Sequence, residues 1–229
     1  RTAKMIKKYY PVIKSEFSDL HFVTLTFPNV QGRDLKQAVS DVILNFQRIK
    51  NKIRMRDQVK IKGIRKIEVT YNPSRNDYHL HLHFLIESRN AAELLKKEWL
   101  LRYPDALEFL QDVVKANDGS IIELLKYTAK LVNKNDYTRL DNGRIEIGIH
   151  AKALDIIFQA LYRKRTYQGF GIKLKLNEDV EELKSEVYEE ILSDIDVWTW
   201  DQDNSDWIST YGEMLTGCDA HKIYRIVNK

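Results

Sequence analysis

One stretch constrains this chain more than any other: Tyr78-His79-Leu80-His81-Leu82-His83-Phe84-Leu85-Ile86. It holds three of the six histidines, at alternate positions. A strand repeats every two residues, so alternation sends all three imidazoles to one face and Leu80, Leu82 and Phe84 to the other. The apolar side needs a core. Neutral imidazoles gathered on the opposite side form a natural site for a divalent metal. The plainer alternative is a half-exposed strand whose polar face is histidine by chance, and three in register argue against it.

The neighbouring segment supplies a carboxylate. Residues 63–71 and 78–87 read as two strands around the turn-forming Asn72-Pro73-Ser74-Arg75-Asn76-Asp77. A turn symmetric about Ser74 and Arg75 sets Glu68 across from His81 and Thr70 across from His79. Directly opposed residues share a face, so His81, His83 and Glu68 become candidate metal ligands, with His79 close by. A one-residue slip turns Glu68 away. Glu68 is otherwise an ordinary surface glutamate paired with Lys66 or Arg65.

Other elements follow from patterning. His21-Phe-Val-Thr-Leu-Thr-Phe27 reads as a buried strand stopped by Pro28-Asn29. Leu35, Val39, Val42, Ile43, Phe46, Ile49 and Ile53 form a helical stripe over residues 34–54, with Asp34 as N-cap. Residues 91–102, 120–133 and 150–163 read as helices, 167–176 as a glycine-containing strand, and 178–192 as an acidic helix before a Trp-rich stretch to 207.

On the 120–133 helix, Glu123, Tyr127 and Lys130 fall on one face at i, i+4 and i+7, opposite Ile121, Leu125, Ala129 and Val132. A tyrosine beside a lysine can act as a nucleophile on phosphorus, the cation steadying the developing charge. Against this, the chain has 12 tyrosines. Ser120-Ile-Ile-Glu123 also fits a capping box, which explains Glu123 without chemistry.

Charge is unevenly distributed. Residues 1–70 hold 16 Lys/Arg against 6 Asp/Glu, residues 71–175 hold 17 against 13, and residues 176–229 hold 4 against 14. A basic front suggests a polyanion-binding body, and the reversal places a boundary near Leu176, dividing residues 1–175 from an acidic extension, 176–229. The single cysteine, Cys218, excludes an intramolecular disulfide and a cysteine-cage zinc site, and points to a reducing cytoplasm. No apolar run suits a membrane span, and the basic start has no signal-peptide core. Arg1 in place of an initiator methionine suggests a piece of a longer protein.

Taken together these segments resemble the HUH endonucleases, named for a histidine–hydrophobic–histidine strand, and among them the replication initiators of bacterial rolling-circle plasmids. Phe22-Val-Thr-Leu-Thr-Phe-Pro-Asn29 is similar to that family's first motif. Glu68-Val-Thr-Tyr-Asn72 with His79-Leu-His-Leu-His83 is similar to the second, and Glu123-Leu-Leu-Lys-Tyr127-Thr-Ala-Lys130 to the third. Gln168-Gly-Phe-Gly-Ile-Lys173 resembles a later segment. Leu80 departs from the family, which often has proline there.

The resemblance implies an α+β fold with a central antiparallel sheet flanked by helices. It implies His81, His83 and Glu68 as ligands of Mg²⁺ or Mn²⁺, Tyr127 as the nucleophile and Glu123 as the base of a terminating cleavage. The expected substrate is single-stranded DNA at a double-strand origin, nicked through a 5′-phosphotyrosine link in the bacterial cytoplasm, with host helicase and polymerase as further partners and no membrane. A conjugative relaxase or single-strand transposase of the same fold is the nearest alternative. A non-catalytic DNA-binding module is the alternative from another class.

Overall fold

The computed structural model describes residues 9–10, 13, 15–125, 137–143, 145–172, 199–201, 206–208 and 222–229. The chain divides into two compact units, Arg1–Lys130 with Ala153–Leu176, and Leu131–Lys152 with Asn177–Lys229.

The first unit is built on a five-stranded antiparallel sheet. Its strands are β1 (Leu20–Thr26), β2 (Gly63–Asn72), β3 (Asp77–Glu87), β4 (Asp112–Lys115) and β7 (Tyr167–Phe170), in the order β4-β1-β3-β2-β7. The histidine strand β3 is therefore central. Three helices belong with this sheet: α1 (Gly32–Arg56), α2 (Arg89–Arg102) and α3 (Asp118–Leu125). The fold is α+β, a central antiparallel sheet flanked by helices, consistent with the HUH fold.

Period-two alternation decides which face is core. Leu80, Leu82 and Phe84 of β3, Ile67 and Val69 of β2, and Val23 and Leu25 of β1 pack in one apolar cluster. The α1 stripe and α2's Ala91, Ala92, Leu95 and Trp99 join it. Trp99 is fully buried and donates its indole N–H to the Thr26 carbonyl at 2.8 Å. Burying a side chain of this size contributes roughly 2–3 kcal/mol, and the hydrogen bond removes the cost of an unpaired donor. A fourth helix, α4 (Ala151–Leu161), adds Ala153, Ile157 and Ala160.

Arg65 also lies on the core side. Its guanidinium stands 5.5 Å from the Phe46 ring centroid, and Nη2 donates to the Arg165 carbonyl at 3.0 Å. Burial alone brings its pKa down to about 10. Gly63 opens β2 where a Cβ would lie 2.1 Å from the Leu85 carbonyl oxygen, so only glycine lets the two strands close there.

Two local expectations change. The N-cap of α1 is Gln31 rather than Asp34. Asp34 sits in the first turn, where its charge favours the helix dipole without capping a backbone N–H. At α3 the capping pair is Asn117 and Ser120. Asn117 Oδ1 accepts from the Ser120 N–H at 2.9 Å, and Ser120 Oγ accepts from the Asn117 N–H at 3.2 Å. Asn117 is the better cap because its short amide reaches the first free N–H groups. Ser120 and Glu123 are thus not the box expected from their spacing.

Strand β4 follows a 3-10 turn, Glu108–Leu110, and was not apparent from patterning, since three of its four residues are exposed. The second unit contains a three-stranded sheet, β10-β6-β5, from β5 (Tyr137–Arg139), β6 (Ile145–His150) and β10 (Lys222–Val227). It also contains the hairpin of β8 (Thr199–Asp201) and β9 (Asp206–Ile208). The acidic 178–192 segment lies outside the described residues.

Candidate functional site

The β2–β3 hairpin places the candidate ligands. Its turn is held by Asn72, whose Oδ1 accepts from the Ser74 and Arg75 N–H groups at 3.1 and 3.3 Å. Asn76, at φ 52°, takes the left-handed conformation that asparagine tolerates, and its side chain accepts from Tyr71 Oη at 2.8 Å. The register is the expected one: Glu68 stands opposite His81 and Thr70 opposite His79. Lys66 stands opposite His83.

Strand β1 extends these rows. Thr24 lies opposite His83 and Thr26 opposite His81. Thr24 Oγ1 is 3.2 Å from His83 Nδ1, so one ring nitrogen of His83 is engaged by β1. His83 Nε2 is 3.6 Å from Glu68 Oε2. The ring centroids of His79 and His81 are 4.0 Å apart, and those of His81 and His83 5.8 Å. Phe22 stacks on His83 with centroids 5.5 Å apart.

Glu68 is 4% exposed, and its Oε2 lies 2.9 Å from Lys66 Nζ. Burial pushes the Glu68 carboxyl up, but the neighbouring Lys66 ammonium, followed by His83 and His81, holds it below the usual range. Glu68 is thus a buried carboxylate rather than a surface one. Burial, followed by Arg75, lowers the His79 pKa and favours the neutral imidazole that metals bind.

Two imidazoles and an ionised carboxylate on one face fit a hard or borderline divalent cation in the chemistry of their donor set. In the geometry at hand His83 and Glu68 approach each other while Lys66 holds the carboxylate. Among the described residues no group of three or more His, Cys, Asp or Glu is arranged to hold a metal ion.

Of the Glu123–Lys130 segment, Glu123 meets the site through its backbone carbonyl on α3. Lys66 Nζ donates to the Glu123 carbonyl at 3.2 Å, which ties β2 to this helix. Ile121 and Leu124 are buried, and Glu123 is partly buried. Tyr127 and Lys130 lie outside the described residues.

Sequence reasoning missed two contributors, Thr24 and Gln111, and named Lys66 only as the partner of a surface Glu68, a pairing that forms here with both groups buried. Thr24 sits in the alternating Thr-Leu-Thr of β1, and the same period-two argument could have placed it beside His83. Lys66 is two residues before Glu68, on the same face by the same rule. Gln111 had no local signal. Its Oε1 accepts the Thr26 N–H at 2.7 Å and its Nε2 donates to Thr26 Oγ1 at 3.1 Å, fastening the turn before β4 to the row of His81.

No helix among the described residues is long and apolar enough to cross a membrane. The chain is 24% identical over 167 residues to "Protein rep" of Streptococcus pneumoniae serotype 2, covering 66% of this chain and 48% of that protein. It is 28% identical over 140 residues to "Protein rep" of Staphylococcus aureus, covering 53% of this chain and 60% of that protein. The chain therefore spans about half to three-fifths of the length of these curated relatives. No solved structure matches it. Residues 1–214 match the Rep_1 family, described as Replication protein, and with nearly the whole chain aligned to it this protein belongs to that family.

Proposed function

We propose that this chain initiates plasmid rolling-circle replication by nicking one DNA strand at the double-strand origin and carrying it on a tyrosine. The observation that supports this best is the shared face of His81, His83 and Glu68 at the centre of the sheet in a replication-family chain. His81, His83 and Glu68 would hold Mg²⁺ or Mn²⁺, which when bound polarises the scissile phosphate.

The remaining chemistry belongs to protein side chains. The Tyr127 phenolate oxygen bonds to phosphorus while the P–O3′ bond breaks, and the leaving oxygen takes a proton to become the priming 3′-OH. The 5′-phosphotyrosine link conserves the bond for later rejoining. Lys130 steadies negative charge at the tyrosine. Glu123 acts as the general base for the cleavage that ends the cycle. Host helicase and polymerase then work from the nick.

A labelled origin oligonucleotide tests this directly. The wild-type chain with Mn²⁺ should form a covalent adduct that maps to Tyr127, and Tyr127→Phe should form none. Glu123→Gln should still nick and form the adduct but fail to terminate. The α3 cap is Asn117–Ser120 and does not involve Glu123, and normal termination by Glu123→Gln would remove Glu123 from the chemistry. An adduct persisting in Tyr127→Phe sinks the mechanism. Tight DNA binding with no adduct at any tyrosine favours a non-catalytic binding module.

A further inference from the structure

Lys66 is an unusual residue for the face it occupies. It is 0% exposed, and burying an ammonium is costly unless it is paired and hydrogen-bonded. Its Nζ has two partners on different elements: Glu68 Oε2 at 2.9 Å on its own strand and the Glu123 carbonyl at 3.2 Å on α3. The Glu68 oxygen it holds is the one that lies 3.6 Å from His83 Nε2. The ammonium therefore holds the carboxylate oxygen that lies nearest His83 Nε2, the one best placed for a cation bound by His83 and Glu68.

We infer that Lys66 is a positioning residue that competes with the divalent cation for Glu68 while anchoring α3 to the sheet. This rests on reading His81, His83 and Glu68 as the cation ligands. With no cation bound, Lys66 keeps the buried carboxylate paired and aimed at His83. A divalent ion arriving at the same oxygen meets a fixed positive charge at hydrogen-bond range from it, and like charges this close repel strongly in a desolvated site. Cation affinity is lowered in consequence. The contact with the Glu123 carbonyl is independent of that competition. It fixes α3, Asp118–Leu125, to the sheet.

The two roles predict opposite effects from one substitution. Lys66→Met keeps the length and apolar stem but removes the charge and the donor. Mn²⁺ titrated into the full chain without DNA, by calorimetry or by electron paramagnetic resonance, should bind on the order of tenfold more tightly to Lys66→Met than to wild type. Cleavage of the origin oligonucleotide at saturating Mn²⁺ should fall, because α3 has lost its anchor. A merely structural lysine would weaken both. Lys66→Gln, neutral but polar, should also bind Mn²⁺ more tightly, and it serves if the Met variant lacks a cooperative thermal transition. Unchanged or weaker Mn²⁺ binding in the folded variant overturns the inference. Mn²⁺ binding that is absent in wild type, or untouched by His81→Ala and His83→Ala, instead overturns the site reading on which it rests.

Discussion

At the scale of single residues, the candidate site depends on what holds each proposed ligand in place. Metal-bound imidazoles are commonly oriented through their second nitrogen. His83 meets this condition through Thr24, 3.2 Å from Nδ1, which leaves Nε2 directed at Glu68. If His83 were to hold a cation through Nε2, its ring proton would sit on Nδ1 and could be donated to the Thr24 hydroxyl. Thr24→Val preserves the shape and removes that acceptor. Mn²⁺ affinity should fall by about tenfold, while stability changes by no more than about 1 kcal/mol. This is opposite in sign to the effect expected of Lys66→Met. Equal Mn²⁺ affinity for wild type and Thr24→Val, measured by the same titration, would remove Thr24 from the site.

At the scale of elements, the sheet is gripped by α1 and α2, and these two helices are joined at one buried carboxylate. Glu98 of α2 is 2% exposed and lies 2.6 Å from both Lys52 Nζ and Arg56 Nη1 of α1. Burial raises its pKa, but the hydrogen bonds from Lys52 and Arg56 outweigh burial and hold it below the usual range. A carboxyl depressed in the folded state stabilises fully above its unfolded value of about 4.3, and that contribution disappears as pH falls through the folded value. Glu98→Gln should cost about 1–2 kcal/mol at pH 7, since both cations are half exposed and screened. The gap between wild type and variant in chemical denaturation should narrow below about pH 4. A gap that stays constant down to pH 3 would show that charge is not what joins the helices.

For the molecule as a whole, charge separation is the feature with the clearest functional consequence. Residues 1–70 carry 16 Lys/Arg against 6 Asp/Glu, and residues 176–229 carry 4 against 14. Binding that rests on the basic part releases counterions from DNA, so its affinity should drop by on the order of tenfold or more from low to physiological salt. Fluorescence anisotropy of a labelled single strand across a salt series measures this. A flat dependence would mean that phosphate contacts contribute little. The salt slope should also survive Thr24→Val, because Thr24 touches His83 rather than a phosphate.

Much of this architecture was already determined by the sequence. Alternating polarity in Tyr78–Ile86 dictated a strand with one histidine face and one core face, because side chains on a strand alternate whatever surrounds it. The symmetric turn around Ser74 and Arg75 dictated the pairing of Glu68 with His81, because hairpin register follows from the turn. The long apolar stripe of α1 was legible for the same local reason. Tertiary structure decided what local periodicity cannot encode. Asn117 rather than Ser120 caps α3, because the helix begins at Asp118 soon after the end of β4 at Lys115. Strand β4, short and mostly exposed, exists because β1 offers it an edge. Gln111 acquires its partner Thr26 from a strand 85 residues earlier in the chain. Above all, the sequence could show that Lys66 and Glu68 share a face, but only packing could bury both and bring the Glu123 carbonyl to the same ammonium. A buried ion pair forms where desolvation leaves a charge no better partner, and that is settled by the whole fold rather than by the spacing of two residues.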